Sequence, residues 1–250
     1  MTRRIQEADL ASLFHLNSSN ARARLPDLTV DEDGRPPRFR TYPGAERVAL
    51  PGRDLDLPVA LGAALAARRS HRAFDRRPLA LELVGRILYA AYGVRGYKRV
   101  EDDWSYDRNA PSAGGLYPLE LYVSAQQVAD LPDGIYHYDV RAHELELRRE
   151  GAHQEQLADM AIGQEMLADA NVILVMAAVV ERTTWKYGQR GYRYVWLDAG
   201  HAGQNVYLAA TALGLGAAAV GGFFDREVNE LLLLPGDEQA IYLVAVGHPG

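Results

Sequence analysis

The chain contains no cysteine. Disulfides, thiolate metal sites, cysteine nucleophiles and dithiol redox chemistry are therefore excluded, and any redox function must borrow a cofactor. Lysine is scarce as well: of the 27 basic residues, 25 are arginine and only Lys98 and Lys186 are lysine. An ammonium loses its proton when a site desolvates it, whereas a guanidinium does not. Lys186 is thus either a chance surface residue or a candidate for proton chemistry. Long apolar runs are also missing, with no stretch of about 18 apolar residues of the kind that spans a bilayer. The opening MTRRIQEADL has arginines but no apolar segment behind them. Neither a membrane span nor a secretory signal is expected, and the expected location is cytoplasmic.

What is present describes a globular chain. At 250 residues and 48% hydrophobic content, it suits one large domain or two small ones with a sizeable core. The net charge of −6 is unevenly spread, with 18 basic and 11 acidic residues over 1–100 against 9 and 22 over 101–250. A basic front of this kind is commonly a solvated surface; it can also hold an anionic cofactor or steer an acidic partner. Nucleic-acid binding would need a denser basic stripe with aromatics interleaved, and the acidic remainder argues against it.

Residues 1–55 read as an arm, irregular beyond a short opening helix, because DEDGRPPRFRTYPGAERVALPGRD mixes proline, glycine and charge without apolar periodicity. Residues 56–250 read as the main domain. Helical spacing begins at Leu57 and runs through Leu61, Ala64 and Leu65, and a second helix carries Val84, Ile87, Leu88 and Ala91 up to Gly93. Strands are expected at LELYVSA (119–125), GIYHYDV (134–140) and HELELRR (143–149), the last two as a hairpin. The continuously apolar NVILVMAAVV (171–180) suits a strand buried on both faces. A helix over 154–167 precedes it, a long helix follows over 198–213, and a short helix from Asp225 leads to a closing strand at 241–247. This order predicts an α+β fold with a mainly antiparallel sheet.

Several motif matches fail on context. Gly214-Leu215-Gly216-Ala217-Ala218-Ala219 follows a helix and precedes a strand, the reverse of a dinucleotide fingerprint. His143-Glu144-Leu145-Glu146 lacks the second histidine of a zinc helix, and the seven histidines show no ligand spacing, so no metal site is expected. Ser112, between Pro111 and Ala113, is not an esterase elbow. Arg68-Arg69-Ser70-His71-Arg72 is more informative. Three guanidiniums and a hydroxyl within five residues suit a phosphate, though a solvated basic helix end is the other reading. Pro111-Ser112-Ala113-Gly114-Gly115-Leu116-Tyr117-Pro118 reads either as a plain turn or as a loop whose glycines let backbone approach a flat ligand. Gly221-Gly222 offers a second exposed backbone stretch.

At these residues the sequence resembles the nitroreductase-like flavoproteins, and within them the SagB-type FMN-dependent azoline dehydrogenases of azole-containing peptide biosynthesis. The resemblance rests on Arg68–Arg72, Pro111–Pro118, the pair Lys186-Tyr187, the segment Asp198–Asn205 and the opening Phe14-His15-Leu16-Asn17-Ser18. These five segments occur in the family's order, from about Phe14 to the end of the chain.

The resemblance implies a homodimer with two FMN sites at its interface, a central antiparallel sheet flanked by helices, and a long central helix at that interface. Arg68, Arg69, Ser70 and Arg72 would hold the FMN phosphate and ribityl chain. Pro111, Ser112, Ala113, Gly114 and Gly115 would reach the flavin from the other subunit, with Gln204 on the long helix and Gly221 and Gly222 near the ring. The family often has a further basic residue after the last strand; here the chain ends Gly247-His248-Pro249-Gly250, leaving a thinner phosphate site or His248 as a substitute. The implied reaction oxidises a thiazoline or oxazoline in a peptide or carrier-bound substrate to the azole, with dioxygen the simplest final acceptor. A cyclodehydratase or synthetase would be the partner. Lys186 would be the general base, held neutral by a cationic patch of Arg182, Arg190 and Arg193, with Tyr187 as donor, acceptor or relay. The alternatives are another flavin oxidoreductase on the same scaffold, either reductase or desaturase, and a catalytically silent scaffold subunit.

Overall fold

A computed structural model describes residues 7–20, 34–100 and 103–250. Its strands are β1 (Arg47–Ala49), β2 (Phe74–Asp75), β3 (Val94–Val100), β4 (Asp103–Arg108), β5 (Leu119–Ala125), β6 (Gly134–Asp139), β7 (Glu144–Glu150), β8 (Val172–Ala178), β9 (Gly216–Val220) and β10 (Gln239–Pro249). Its helices are α1 (Glu7–Asn17), α2 (Leu61–Ala67), α3 (Leu81–Tyr92), α4 (Gln154–Met160), α5 (Glu181–Tyr187), α6 (Gly191–Ala212) and α7 (Asp225–Leu231). The main sheet runs β1-β7-β6-β5-β8-β10-β2 with β9 also on β10, and each of these pairings is antiparallel. The expected α+β architecture, with a mainly antiparallel sheet flanked by helices, is the one observed.

β8 shows why the sheet carries helices on both sides. All seven of its residues are buried. Val172, Leu174 and Met176 face Val84, Ile87 and Leu88 of α3 and Val195 and Val206 of α6. Ile173, Val175 and Ala177 face Leu157 of α4 and Val228 and Leu231 of α7. The two-residue period of a strand turns one apolar run into two core faces. The structure departs from the sequence reading at four places. The helix expected over 154–167 stops at Met160, because Ile162 and Gly163 adopt positive φ of 47° and 75°, and a 3₁₀ turn follows at Glu165–Asp169. The long helix begins at Gly191, seven residues before the expected start at Asp198. β3 and β4 form a separate hairpin that the pattern did not announce. Within the stretch expected to be irregular, β1 adds an edge strand to β7.

Of the expected arm, residues 1–6 and 21–33 lie outside the described residues. The part at 34–46 runs along the sheet as a strap. Arg40 and Tyr42 donate backbone N–H bonds to Glu120 (3.0 Å) and Glu146 (3.2 Å), and the Glu46 carbonyl accepts from Leu147.

Candidate active site

The stretch TTWKYGQRGYRY (183–194) folds as two helices meeting at a sharp break. α5 ends at Tyr187, where Gly188 takes φ 52° and ψ −144°. Gly191 then starts α6 so close to α5 that a β-carbon there would lie 2.8 Å from the Thr183 carbonyl carbon and oxygen. A larger residue would pry the helices apart. Lys186 and Tyr187 therefore project from the last turn of a short helix whose far end is fixed. Lys186 is exposed, with Nζ 5.8 Å from the centre of the Tyr187 ring. Tyr187 packs edge-on against Tyr194 at 5.1 Å. Burial, and then Tyr194, push the Tyr187 pKa upward, so its hydroxyl is a proton donor at neutral pH.

The Pro111–Pro118 loop meets that tyrosine. Gly114 adopts φ 62°, and a β-carbon on it would stand 2.6 Å from the Tyr187 hydroxyl oxygen. The Ser112 hydroxyl accepts the Tyr117 N–H at 2.9 Å, closing the turn. Behind the loop, Asp198 of α6 is turned toward the Ser112 hydroxyl and the Ala113 N–H. Its residue is only 3% exposed, and burial raises its pKa to about 6 against the opposing pull of those two donors and of His201. Its Oδ2 is buried without a hydrogen-bond partner among the described residues.

The arginine run lies elsewhere, along β9. Ser70 bridges Ala217, and the His71 N–H donates to the Ala217 carbonyl at 2.9 Å. Tyr207 of α6 organises the junction: its hydroxyl lies 3.0 Å from Ser70 Oγ and accepts the Ala219 N–H at 2.8 Å, while the Arg68 guanidinium lies 5.5 Å over its ring. Gly221 and Gly222 follow β9 directly, and a side chain on either would meet no neighbouring atom within 4 Å. Arg76 and Arg77 are ion-paired to Asp169 and Asp75, whereas Arg68, Arg69 and Arg72 have no carboxylate partner among the described residues. His248 is in register with Asp75, and its Nε2 lies 3.3 Å from the Pro78 carbonyl. Gln204 is exposed on α6, three residues before Tyr207. Within one chain the two groups sit at different levels of α6: from Asp198 to Tyr207 is about 14 Å at the helical rise per residue.

A buried charge network ties α5 to β5 and to the strap. Arg182, in the first turn of α5, is 4% exposed and bonds Glu120 Oε1 of β5 at 2.6 Å and the Pro37 carbonyl at 2.7 Å. His137 sits between Glu120 (3.2 Å) and Glu146 (2.9 Å), and Arg47 pairs with Glu146. Burial alone would lower the His137 pKa, but its hydrogen bonds to Glu120 and Glu146 raise it to about 9. Burial likewise opposes ionisation of Glu120, yet the His137 hydrogen bond and the Arg182 charge bring it down to about 2.

This corrects the cationic patch expected around Lys186. Arg182 faces Glu120. Arg193 donates to Ser18 Oγ at 2.7 Å and to the His15 carbonyl at 2.5 Å, and Arg190 reaches the Ser18 carbonyl at 3.3 Å. Their places on α5, on the break and on α6 turn these guanidiniums toward the sheet and toward α1, and Lys186 stays exposed in the single chain. The Phe14–Ser18 segment thus docks beside α6, with Phe14 edge-on to Tyr192 at 5.6 Å.

The nitroreductase family model matches residues 65–248. The chain belongs to the nitroreductase family. It is 43% identical to the nitroreductase-like protein MJ1384 of Methanocaldococcus jannaschii over 189 residues, 74% of this chain and 88% of that protein. It is 27% identical to the microcin B17-processing protein McbC of Escherichia coli, over 64% of this chain and 58% of McbC. The trifolitoxin operon protein TfxC of Rhizobium leguminosarum bv. trifolii is also 27% identical, over 81% of this chain and 59% of TfxC. The chain therefore spans under three fifths of the length of McbC and of TfxC. A solved nitroreductase-like structure from Anabaena variabilis superposes with a TM-score of 0.77 at 28% identity, covering 99% of this chain and 48% of that one.

Among the described residues, no helix of this nitroreductase-family protein is long and apolar enough to cross a membrane. Its residues suit a phosphate-bearing flavin: three guanidiniums near Ser70 with no carboxylate partner among the described residues, and an open backbone edge at Gly221-Gly222. No pattern in the sequence marks Tyr207 or Asp198 for a role. Both sit at or just beyond the Asp198–Asn205 segment, but what they face, Ser70 and the Ser112 turn, is more than 80 positions away and visible only in the fold.

Proposed function

We propose that the protein is an FMN-dependent azoline dehydrogenase that works as a homodimer, with residues 56–250 as its flavin domain and 1–55 as an arm. The observation that carries this reading is the meeting of Tyr187 with Gly114, which joins the Lys186-Tyr187 pair to the glycine loop. Similarity to McbC and TfxC, proteins named for microcin B17 processing and the trifolitoxin operon, supports it. The separation of the arginine run from the glycine loop along α6 supports two-chain sites, with Arg68, Arg69, Ser70 and Arg72 of one copy facing Ser112–Gly115 of the other. The exposed apolar residues Leu61 and Leu65 of α2 and Trp196 and Leu197 of α6 supply a surface for that contact.

In this reading Arg68 and Arg72 hold the phosphate by guanidinium forks, Ser70, positioned by Tyr207, adds a hydroxyl, and Gln204, Gly221 and Gly222 line the ring. The chemistry FMN supplies when bound is acceptance of a hydride from the azoline ring, passed on to dioxygen. The Lys186 amine takes the proton from the ring carbon bearing the carbonyl, and the Tyr187 hydroxyl donates a hydrogen bond to the substrate beside it. Because Lys186 is exposed in one chain, the second copy and the substrate must exclude water from it. The substrate class is an azoline in a peptide or on a carrier, delivered by a cyclodehydratase or synthetase. The test is mass spectrometry of azoline peptides incubated with flavin-loaded protein. Loss of two hydrogens per ring, abolished in Lys186→Ala, is the expected result; unchanged substrate mass with active flavin would sink the reading.

Identity of 43% with MJ1384 favours a second reading, a flavin reductase on the same scaffold. Rapid flavin reduction by a nicotinamide, with no ring oxidation, would establish it. A protein that takes up no FMN would leave only a scaffold role.

A further inference from the structure

Asp198 is the buried carboxylate nearest the Ser112 turn, and the proposed reaction does not use it. It is 3% exposed, carries an oxygen with no partner among the described residues, and faces the Ser112 hydroxyl and the Ala113 N–H. Leaving a carboxylate buried and half-satisfied costs stability, so its position calls for an explanation in terms of what it holds. The turn it faces is otherwise tied down at its far end, where the Tyr117 hydroxyl accepts the Arg108 N–H at 3.2 Å and the Pro118 carbonyl accepts the Val179 N–H at 2.8 Å. Within the turn, Gly115 N–H bonds the Ser112 carbonyl at 3.1 Å and Leu116 N–H bonds the Ala113 carbonyl at 3.3 Å. Gly114, Gly115 and Tyr117 all take positive φ, of 62°, 63° and 49°. Glycine takes that region without steric cost, so Gly114 and Gly115 do not by themselves fix the turn in one shape. Ser112 can donate to Asp198 while accepting from Tyr117, since a hydroxyl offers one donor and two lone pairs.

We propose that Asp198 is a positioning residue that, through the Ser112 hydroxyl and the Ala113 N–H, holds the glycine turn at the place where Gly114 meets Tyr187. Where that turn contacts flavin, the inference rests on the function proposed above; the anchoring itself does not. The carboxylate form is the stronger acceptor, so the anchor tightens on ionisation and slackens on protonation. The titratable groups facing it are His201, one turn along α6, and the Tyr92 hydroxyl from α3, which burial keeps protonated. A histidine can titrate in the same range, so His201→Gln is the control.

The experiment is amide hydrogen exchange of the dimer, read by mass spectrometry on peptides covering 111–118, with FMN affinity measured alongside. At pH 7.5, Asp198→Ala should raise exchange in that segment by about tenfold, the loss of one hydrogen bond to a charged group, and leave β5 and β8 unchanged. Asp198→Asn, which keeps an acceptor oxygen, should restore protection. Relative to Asp198→Asn, wild type should lose protection and FMN affinity between pH 7.5 and 5.5, and His201→Gln should keep that response. The Asn variant also supplies the baseline for the FMN phosphate, whose second ionisation lies near 6. If Asp198→Ala does not fold, Ser112→Ala carries the same expectation for the segment. Wild-type protection in Asp198→Ala or Ser112→Ala, or a wild-type pH response in Asp198→Asn, overturns the assignment. Exchange that follows the expectation in a protein taking up no FMN keeps the anchor and removes the flavin function.

Discussion

Tyr187 places its hydroxyl oxygen 2.6 Å from where a β-carbon on Gly114 would stand. The helix end with the rare lysine and the glycine loop, more than 70 residues apart in sequence, are thus fitted to each other within one atom's width. Gly114→Ala meets two penalties, a left-handed backbone costing about 1 kcal/mol and the clash with the hydroxyl. Tyr187→Phe removes the oxygen and leaves the ring carbon Cζ at 3.4 Å from the added methyl. In urea unfolding of the four proteins of this cycle, the double variant should recover about 1 kcal/mol relative to the sum of the single changes. Strict additivity would show that the hydroxyl does not bear on Gly114.

The His137 network makes stability depend on alkaline pH. A histidine whose folded pKa is raised from its ordinary value to about 9 contributes stability that is fully present below about pH 6.5 and is lost as pH rises through 9. The linkage amounts to about 3 kcal/mol. Glu120, lowered to about 2, has the opposite window: its contribution is present above about pH 4.5 and lost as pH falls through 2. Denaturant melts at pH 6.5, 8 and 9.5 should therefore show falling stability in wild type and a flatter profile in His137→Gln. Glu120→Gln should cost about 3–5 kcal/mol by stranding Arg182. A His137→Gln profile parallel to wild type would show that another group carries the alkaline loss.

Much of the fold was legible because strand and helix periods are local. The apolar run over 171–180 disclosed a two-faced strand, and Gly93 marked the end of α3 where the chain does leave the helix. The 3₁₀ break after Met160 was not legible, because it turns on Ile162 taking φ 47°, which no β-branched residue advertises. The segments of the candidate site were legible as an ordered set of motifs, but their mutual placement was not. Arg182, Arg190 and Arg193 looked like company for Lys186 because charge has no direction in a sequence. The fold gives each of them a distant acceptor in Glu120 or in the Phe14–Ser18 segment. Tyr207 and Asp198 escaped notice for the same reason.

Asp198 sets up a conflict between order at the loop and stability of the whole. A carboxyl whose folded pKa is raised to about 6 is favoured in the protein only when protonated. Its contribution is present below about pH 3.8 and is lost as pH rises through 6, so at pH 8 the ionised group costs stability. Asp198→Asn should accordingly raise stability at pH 8 by about 2 kcal/mol, allowing for solvent screening, and by little at pH 4. Thermal melts at the two pH values check this. An equal gain at both would assign the effect to packing instead of charge.

The phosphate assignment predicts a salt signature. Arg68 and Arg72 have no carboxylate partner among the described residues, whereas Arg76 and Arg77 are paired. Arg72→Ala should weaken FMN binding about tenfold or more, and raising salt should weaken wild type further than the variant, since part of the attraction is already gone. Arg77→Ala, which breaks only an exposed pair with Asp75, should leave FMN affinity within about twofold. Fluorescence titration with FMN at low and high salt measures both, and equal losses in Arg72→Ala and Arg77→Ala would remove the assignment.

Lys186 is the sharpest test of the chemistry because its surroundings in one chain do not dehydrate it. If the second copy does, activity per subunit should fall on dilution in step with dissociation of the dimer, followed by light scattering. Lys186→Ala should cut turnover by about 10²–10⁴, the range of a general base, while FMN stays bound. Lys186→Arg should fare no better, because a guanidinium keeps its proton at any pH the protein survives. Single-turnover bleaching of the flavin at several pH values separates proton removal from later reoxidation. Full bleaching rates in Lys186→Arg would move the base to another residue, and Tyr187, kept protonated by burial, would not be the substitute.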